Sequence, residues 1–413
     1  MVGPASGKSQ IINHKSQIPL RAFVIKKAPL FALALASCIV TFLAQARGGA
    51  VGTLQSIPLG VRIDNAAVSC VKYLAKAIWP RDLAVVYPHP MNGLPLWQVA
   101  GSFALLAAVT VAVVLARWRR PYLLVGWLWY LITLAPVIGL VQVGMQAMAD
   151  RYTYVPLIGV FLAVVWLVGD LVASYELRIT SYGMRVTSSA FACAVLSVLA
   201  ICTWNQVGFW HDSITLFEHS LRVCPSGLAH NNLGFALDHA GRRKEAMKHF
   251  REAIRISPNY PDPHVNLGSI LEESGQREAA RQQYREALRL QPNCPEALYN
   301  YGVLLGKSGD PDAAISLYRR ALRVRPTYVE AHYNLGLIYD DRKRIKAAIR
   351  EYETTLYLAP DYVPAHNNLA IAFYSTRKYE QAWRHVHAAQ ALGFRPHPGF
   401  LQALSSKMPE PAQ

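Results

Sequence analysis

At 413 residues, with 52% apolar content, a mean hydropathy of +0.16 and a formal net charge of +16, the chain is too apolar for an ordinary soluble protein and too long for one small domain. The excess of positive charge is concentrated early: residues 1–210 hold 16 Lys/Arg against 5 Asp/Glu. Those basic residues flank apolar stretches, which is where membrane-protein ends carry them, so nucleic acid is not an expected partner.

In chain order, residues 1–27 read as a basic cytoplasmic leader with Lys8, Lys15, Arg21, Lys26 and Lys27. A membrane domain is expected over 28–204, with spans at 28–46, 95–116, 122–142, 155–172 and 186–204. Each has roughly the 17–25 mostly apolar residues that cross a hydrocarbon core. Asp170 is the one acid within them, and it lies near an end. The stretch 57–78 carries Arg62, Asp64, Lys72 and Lys76 among apolar residues and reads as a helix lying in the interface. Arg117, Arg119 and Arg120 between the second and third spans, like the leader, point to the cytoplasm. Counting five crossings puts the remainder outside, in the periplasm if this is a bacterial inner-membrane protein. The basic residues of 47–94 oppose that assignment. The start does not read as a cleaved secretory signal, because more apolar chain follows Gln45-Ala46-Arg47.

A connector helix is expected within 205–226, with Ile214, Phe217 and Leu221 on one face and Pro225 as its stop. From there a period of 34 governs the chain. Gly234, Gly268, Gly302 and Gly336 recur with Ala370 in the fifth place. Ala246, Ala280, Ala314, Ala348 and Ala382 keep the same beat, as do Pro258, Pro292, Pro326 and Pro360. Phe250, Tyr284, Tyr318 and Tyr352 form a fourth series, ending in Val386. Gly and Ala at one offset and large apolar residues at another are what two closely approaching helices require, and Pro stops the second helix. This pattern is that of the tetratricopeptide repeat. The expected fold is therefore all-α: a polytopic transmembrane helical domain, then a TPR α-solenoid of five repeats over 227–396. A capping helix and tail would complete it at 397–413.

Asn232, Asn266, Asn300, Asn334 and Asn368 stand two residues before the Gly or Ala of every repeat, while their neighbours drift. Asn is a mediocre helix former, so propensity does not select it. On the first helix of each repeat the five amides would form a ladder along the concave face. A primary amide offers one acceptor and two donors, which suits the backbone of an extended polypeptide. The array resembles the Asn ladder of the O-linked N-acetylglucosamine transferases. Inheritance by duplication, or a helix–helix hydrogen bond, explains the same residues. The carboxylate-clamp type of TPR also needs inner Lys and Arg, which do not recur here. His230, His264, His332 and His366 form a second series, broken by Leu298, that suits packing or groove polarity better than a metal. No metal, cofactor or catalytic residue is assigned.

The run from Val143 to Pro156, containing Asp150-Arg151-Tyr152-Thr153-Tyr154-Val155-Pro156, resembles a segment of the transmembrane and TPR-containing protein O-mannosyltransferases. So do Trp79-Pro80, Leu83, Tyr87-Pro88 and Leu94-Pro95. The resemblance implies an integral-membrane enzyme that uses a polyprenyl-phosphate sugar, with an acidic pair in its first extracytoplasmic loop. Here that loop offers only the isolated Asp64 and Asp82, and the span count is about half the family's. The chain thus resembles the C-terminal half of such an enzyme, to act with a separate catalytic half. Asp150 and Arg151 could meet a lipid phosphate or form a structural ion pair. A non-enzymatic scaffold for envelope proteins, and an autonomous glycosyltransferase with an unrecognised site, are the competing classes.

Overall fold

The computed structural model describes residues 58–80, 83–85, 87–88, 93–135, 137–138, 146–148, 153–176 and 182–411. The leader, the expected span 28–46, Asp82, Asp150 and Arg151 lie outside them. Two compact units divide the chain, Met1–Thr203 and Trp204–Gln413. The class is all-α, apart from a short antiparallel pairing of β1 (Tyr87–Pro88) with β2 (Gln146–Met148).

In the first unit, α1 (Leu59–Ile78), α2 (Leu96–Ala116), α3 (Pro121–Leu134) and α4 (Tyr154–Glu176) precede α5 (Tyr182–Gly208), which runs into the second unit. The core gathers Ala66, Cys70, Tyr73, Trp127, Tyr130, Leu134 and Ile138. Tyr130 is fully buried and donates its O–H to the Cys70 carbonyl at 2.7 Å, joining α3 to α1. Helix α1 therefore forms over nearly the stretch expected to lie in an interface, but it sinks one face into this core. At the α3–α4 crossing the backbones meet through Gly126 and Gly159. A Cβ on Gly126 would lie 2.3 Å from the Gly159 carbonyl oxygen, so no other residue fits. Tyr122 donates to Asp170 at 2.5 Å and Arg120 pairs with the same carboxylate at 3.8 Å, which gives the one intraspan acid its partners.

Two helical stretches, Leu96–Ala116 and Tyr154–Leu171, are long and apolar enough to cross a membrane, and only 11% of each apolar window is buried. Within the expected span 122–142, α3 is helical to Leu134, two residues before Pro136, and residues 136 and 139–142 lie outside the described residues. The 14 residues of α3 reach about 21 Å, short of a hydrocarbon core.

The second unit begins with α6 (Ser213–Val223), whose N-cap Asp212 accepts from the Thr215 N–H at 2.9 Å. Five helix pairs follow: α7 (Gly227–His239) with α8 (Arg243–Ile256), α9 (Asp262–Glu273) with α10 (Arg277–Leu290), and α11 (Pro295–Lys307) with α12 (Pro311–Val324). The series ends with α13 (Val329–Asp341) with α14 (Ile345–Leu358), and α15 (Val363–Ser375) with α16 (Tyr379–Ala391). Within each pair the Gly series receives the aromatic series. A Cβ on Gly234, Gly268, Gly302 or Gly336 would lie 2.6–2.7 Å from the facing ring. In the last repeat Ala370 brings the extra methyl and Val386 gives up the ring, and both are 1% exposed. Volume at the seam is held by exchange across it. The turn inside each pair takes a left-handed residue: Gly241, Gly275, Gly309, then Lys343 and Arg377. Helix α17 (Pro398–Lys407) closes the stack, with Leu404 fully buried and the Met408 carbonyl accepting from Trp383 Nε1 at 3.0 Å.

In the first three repeats, first helices approach each other directly, α7 to α9 and α9 to α11, and no second helix approaches the next second helix as closely. The shorter spacing puts the first-helix layer on the inside of the curve.

Candidate functional site: the inner face of the helical array

All five ladder asparagines lie on first helices and are half-buried. They are not equivalent. Asn266 Nδ2 donates to Asn231 Oδ1 at 3.0 Å, Asn334 Nδ2 to the Tyr299 hydroxyl at 3.0 Å, and Asn368 Nδ2 to the Tyr333 hydroxyl at 3.1 Å. Each bond reaches back 35 residues, from the ladder position to the residue just before the ladder position in the preceding repeat. Three amides thus spend one N–H tying neighbouring first helices together. Asn300 faces Val265 in that register, which offers no acceptor, and among the described residues its amide has no side-chain partner. The helix–helix bond weighed from the sequence is present at three rungs; Asn334 and Asn368 also turn towards the Tyr318 and Tyr352 hydroxyls, while the carbonyl oxygens of Asn266, Asn300 and Asn334 remain unspent among the described residues.

The acceptor position was missed in the sequence because it reads Asn231, Val265, Tyr299, Tyr333 and Asn367, with no common identity. Tyr299 accepts from Asn334 and still has its own O–H to give. Burial and nearby acidic charge, Glu330 first, push its pKa up to about 12, so the proton stays on. Tyr333 is likewise raised, by burial and the neighbouring Tyr362. In the third and fourth repeats the inner face therefore sets a phenol beside each amide, both able to donate to a peptide carbonyl.

The histidine series points elsewhere. His230 meets His249 at 2.9 Å, His264 meets Gln283 at 2.8 Å, His332 meets Glu351 at 2.7 Å and His366 meets His385 at 3.0 Å. Every partner is 19 residues on, across the seam on the second helix of the same repeat. Where Leu298 breaks the series, Leu317 replaces the partner, and the two pack together in one buried cluster. The series is a clasp between the two helices of each repeat.

Charge separates by layer. The five first helices carry eight Asp/Glu against one Lys/Arg, a net of −7, and the five second helices carry eight against fifteen, a net of +7. Glu272 pairs with Lys307 at 2.8 Å, and Glu273 and Glu296 pair with Arg243 and Arg325. Glu330 and Asp341 are exposed and have no ion pair among the described residues. Burial and the neighbouring Asp341 raise the pKa of Asp340. An inner face with one lysine lacks the cations of a carboxylate clamp.

Sequence-family models described as Tetratricopeptide repeat match residues 227–260, 263–327 and 302–363. Tetratricopeptide repeats occupy this region. A protein O-mannosyl-transferase from Caenorhabditis elegans is 28% identical over 115 residues, which are 28% of this chain and 15% of that relative. Among solved structures, PilF of Pseudomonas aeruginosa matches with 23% identity and a TM-score of 0.41, over 44% of this chain and 83% of that one. YrrB, described as a TPR protein with an unusual peptide-binding site, matches with 15% identity and a TM-score of 0.38, over 46% and 97%. A MamA segment from Desulfovibrio magneticus matches with 23% identity and a TM-score of 0.37, over 40% and 94%.

Proposed function

We propose that this chain is a membrane-anchored peptide-capture protein whose TPR array holds an extended polypeptide along Asn232, Asn266, Asn300, Asn334 and Asn368. The observation that carries the reading is a row of half-buried amides on the inner helix layer, with the Asn300 amide unpartnered and the carbonyl oxygens of Asn266 and Asn334 unspent among the described residues. Amides and phenols read a peptide backbone irrespective of its side chains, and the net charge of −7 on that layer favours segments that carry Lys or Arg. Anchoring rests on the two long apolar helices with little buried surface.

The sequence resemblance and the match to an O-mannosyl-transferase support a finer reading. The array would present an acceptor chain for glycosylation, on the extracytoplasmic side of a multi-pass domain, to a separate half that handles the polyprenyl-phosphate sugar. In that reading Asp150 and Arg151 meet the lipid phosphate. A scaffold that assembles envelope proteins without chemistry uses the same groove, and sugar transfer to the captured peptide separates the two. The deciding measurement is side of exposure. Lys307 has a side chain 61% exposed, so a Lys307→Cys probe in a chain lacking its native cysteines should react with an impermeant maleimide from outside intact cells. Reaction only after lysis would place the repeats in the cytoplasm and remove the glycosylation reading, leaving a cytosolic scaffold.

A further inference from the structure

The outer side of the array holds a second site. At one junction the outer surface is indented between second helices of consecutive repeats, over the first helix of the later repeat. Between α12 and α14 this indentation deepens to a cavity of about 590 Å³, lined by Arg319, Arg323, His332, Arg344, Arg350 and Glu351. A smaller recess of about 350 Å³ shares Arg319, Arg323 and Arg344.

The repeat itself supplies the comparison. The four arginine positions read Arg251, Arg255, Gln276 and Gln282 at the first junction, and Arg285, Arg289, Asp310 and Ser316 at the second. They read Arg319, Arg323, Arg344 and Arg350 at the third, and Glu353, Tyr357, Lys378 and Arg384 at the fourth. Net charge is therefore +2, +1, +4 and +1, so the third junction departs from a pattern common to the rest. Its counter-ion has also been removed. In the first two repeats the last-turn arginine closes on a glutamate three residues earlier, Arg255 on Glu252 and Arg289 on Glu286. In the third repeat that glutamate is replaced by Arg320, and Arg320 donates instead to the Pro292 carbonyl at 3.1 Å. Arg323, Arg344 and Arg350 form no ion pair among the described residues, the nearby Asp312 being paired with Arg342 and only influenced by Arg344, and Arg319 donates to the Tyr339 hydroxyl at 2.7 Å.

The carboxylate in the cavity is already spoken for. His332 sets Nδ1 against Glu351 at 2.7 Å and Nε2 against the Pro326 carbonyl at 3.0 Å. An ionised carboxylate and a carbonyl both only accept, so both ring nitrogens carry protons. Burial pulls this histidine's pKa down, but the bonds to Glu351 and Pro326 outweigh it and raise it. The pair is neutral as a unit, which leaves the charge of four guanidinium groups facing one cavity.

We propose that this cavity binds a multiply charged, phosphate-bearing anion. A single carboxylate would leave three like charges crowded together, whereas a diphosphate brings several oxygens to match the planar forks of arginine. The confinement to one junction and the cavity's size fit a small anion or a lipid headgroup rather than a nucleic-acid duplex, which would span several junctions.

The test is calorimetric titration of inorganic diphosphate into the full chain in an uncharged detergent. One molecule is expected to bind, with an affinity at least about tenfold weaker in Arg323→Gln/Arg344→Gln. Arg320→Glu, which reinstates the pairing of the first two repeats, should weaken it as well. Arg251→Gln/Arg285→Gln, which removes equal charge from the other junctions, should leave it unchanged. Displacement of diphosphate by a short-chain phosphatidic acid would assign the occupant to a lipid headgroup, and failure to displace it would assign a soluble phosphate; either supports the site. No binding at millimolar diphosphate, or equal weakening in the control variant, would overturn it.

Discussion

The two helix layers of the array share one repeat and nearly one length, 12–13 residues against 13–14, yet carry opposite charge. Every first helix places Gly or Ala against an aromatic or Val from its partner, and Ala246, Ala280, Ala314, Ala348 and Ala382 are all 0% exposed. Outside that seam the layers diverge to −7 and +7. The seam is held by volume, which tolerates little change, whereas the faces carry only scattered hydrogen bonds and exposed ion pairs, so their charge is freer to be shaped by what they meet. The largest expected effects therefore lie at the seam. Gly302→Ala pushes a methyl to within 2.7 Å of the Tyr318 ring and should cost about 1–3 kcal/mol. Tyr318→Val alone should cost about 2–4 kcal/mol through the cavity it leaves. Together they recreate the Ala370/Val386 pairing of the last repeat, and the double variant should be less destabilised than the sum by about 1–3 kcal/mol. Denaturation of the full chain in detergent, followed by far-ultraviolet circular dichroism, measures all three; simple additivity would show that the exchange across the seam is not compensation.

The faces are tested by charge. Glu330→Lys/Asp341→Lys on the inner layer should weaken capture of a lysine-rich extended peptide by at least about tenfold at low salt, with the gap narrowing as salt rises. Arg323→Gln/Arg344→Gln on the outer layer should not change peptide capture. If the outer variant weakens it equally, bulk charge governs binding and the layers are not functionally distinct.

A third expectation concerns the clasp. His385, packed on His366, has its pKa lowered from 6.5 to about 4 by burial first and by the charge of His366 second. Its folded value lies below its unfolded value, so the unfolded chain binds the proton more tightly between the two. The histidine's contribution is complete above pH 6.5 and is lost as pH falls towards 4. Its size should be on the order of 1–2 kcal/mol, given that the side chain is partly solvated. His385→Gln should flatten that acid limb of the stability profile, read as melting temperature against pH, without changing stability at pH 8 by as much.

Much of this was legible in the sequence, for a physical reason. The period of 34 is the structural unit itself, so Gly, Ala, aromatic and Pro mark both helices and their contact in the sequence alone. What failed is what periodicity and hydropathy do not encode. An apolar window runs through Pro136 without registering the missing N–H, so hydropathy does not mark where α3 ends, at Leu134. The ladder was visible as a repeated Asn, but its acceptors lie one residue out of register with varied identity, so three inter-repeat bonds were invisible. The charge split was hidden because the repeat half shows only its sum, 26 Lys/Arg against 21 Asp/Glu over residues 211–413. Asp150 and Arg151, singled out beside the membrane, fall outside the described residues.

The smallest effects separate the two roles of the ladder. Asn334 spends an N–H on the Tyr299 hydroxyl, whereas Asn300 faces Val265 and spends none. Asn334→Ala should therefore cost about 0.5–1.5 kcal/mol of stability by removing a hydrogen bond between repeats. Asn300→Ala removes none and should leave stability within about 0.5 kcal/mol of the parent. If the amides read a bound backbone, both variants should weaken peptide capture, each by about fivefold to tenfold, the equivalent of one hydrogen bond. Asn300 is the sharper of the two, because any effect it has on binding cannot be traced to the array's own cohesion. A peptide affinity unchanged in Asn300→Ala, alongside a destabilised Asn334→Ala, would mean that the asparagines serve to lock repeat to repeat and that the groove binds by other means.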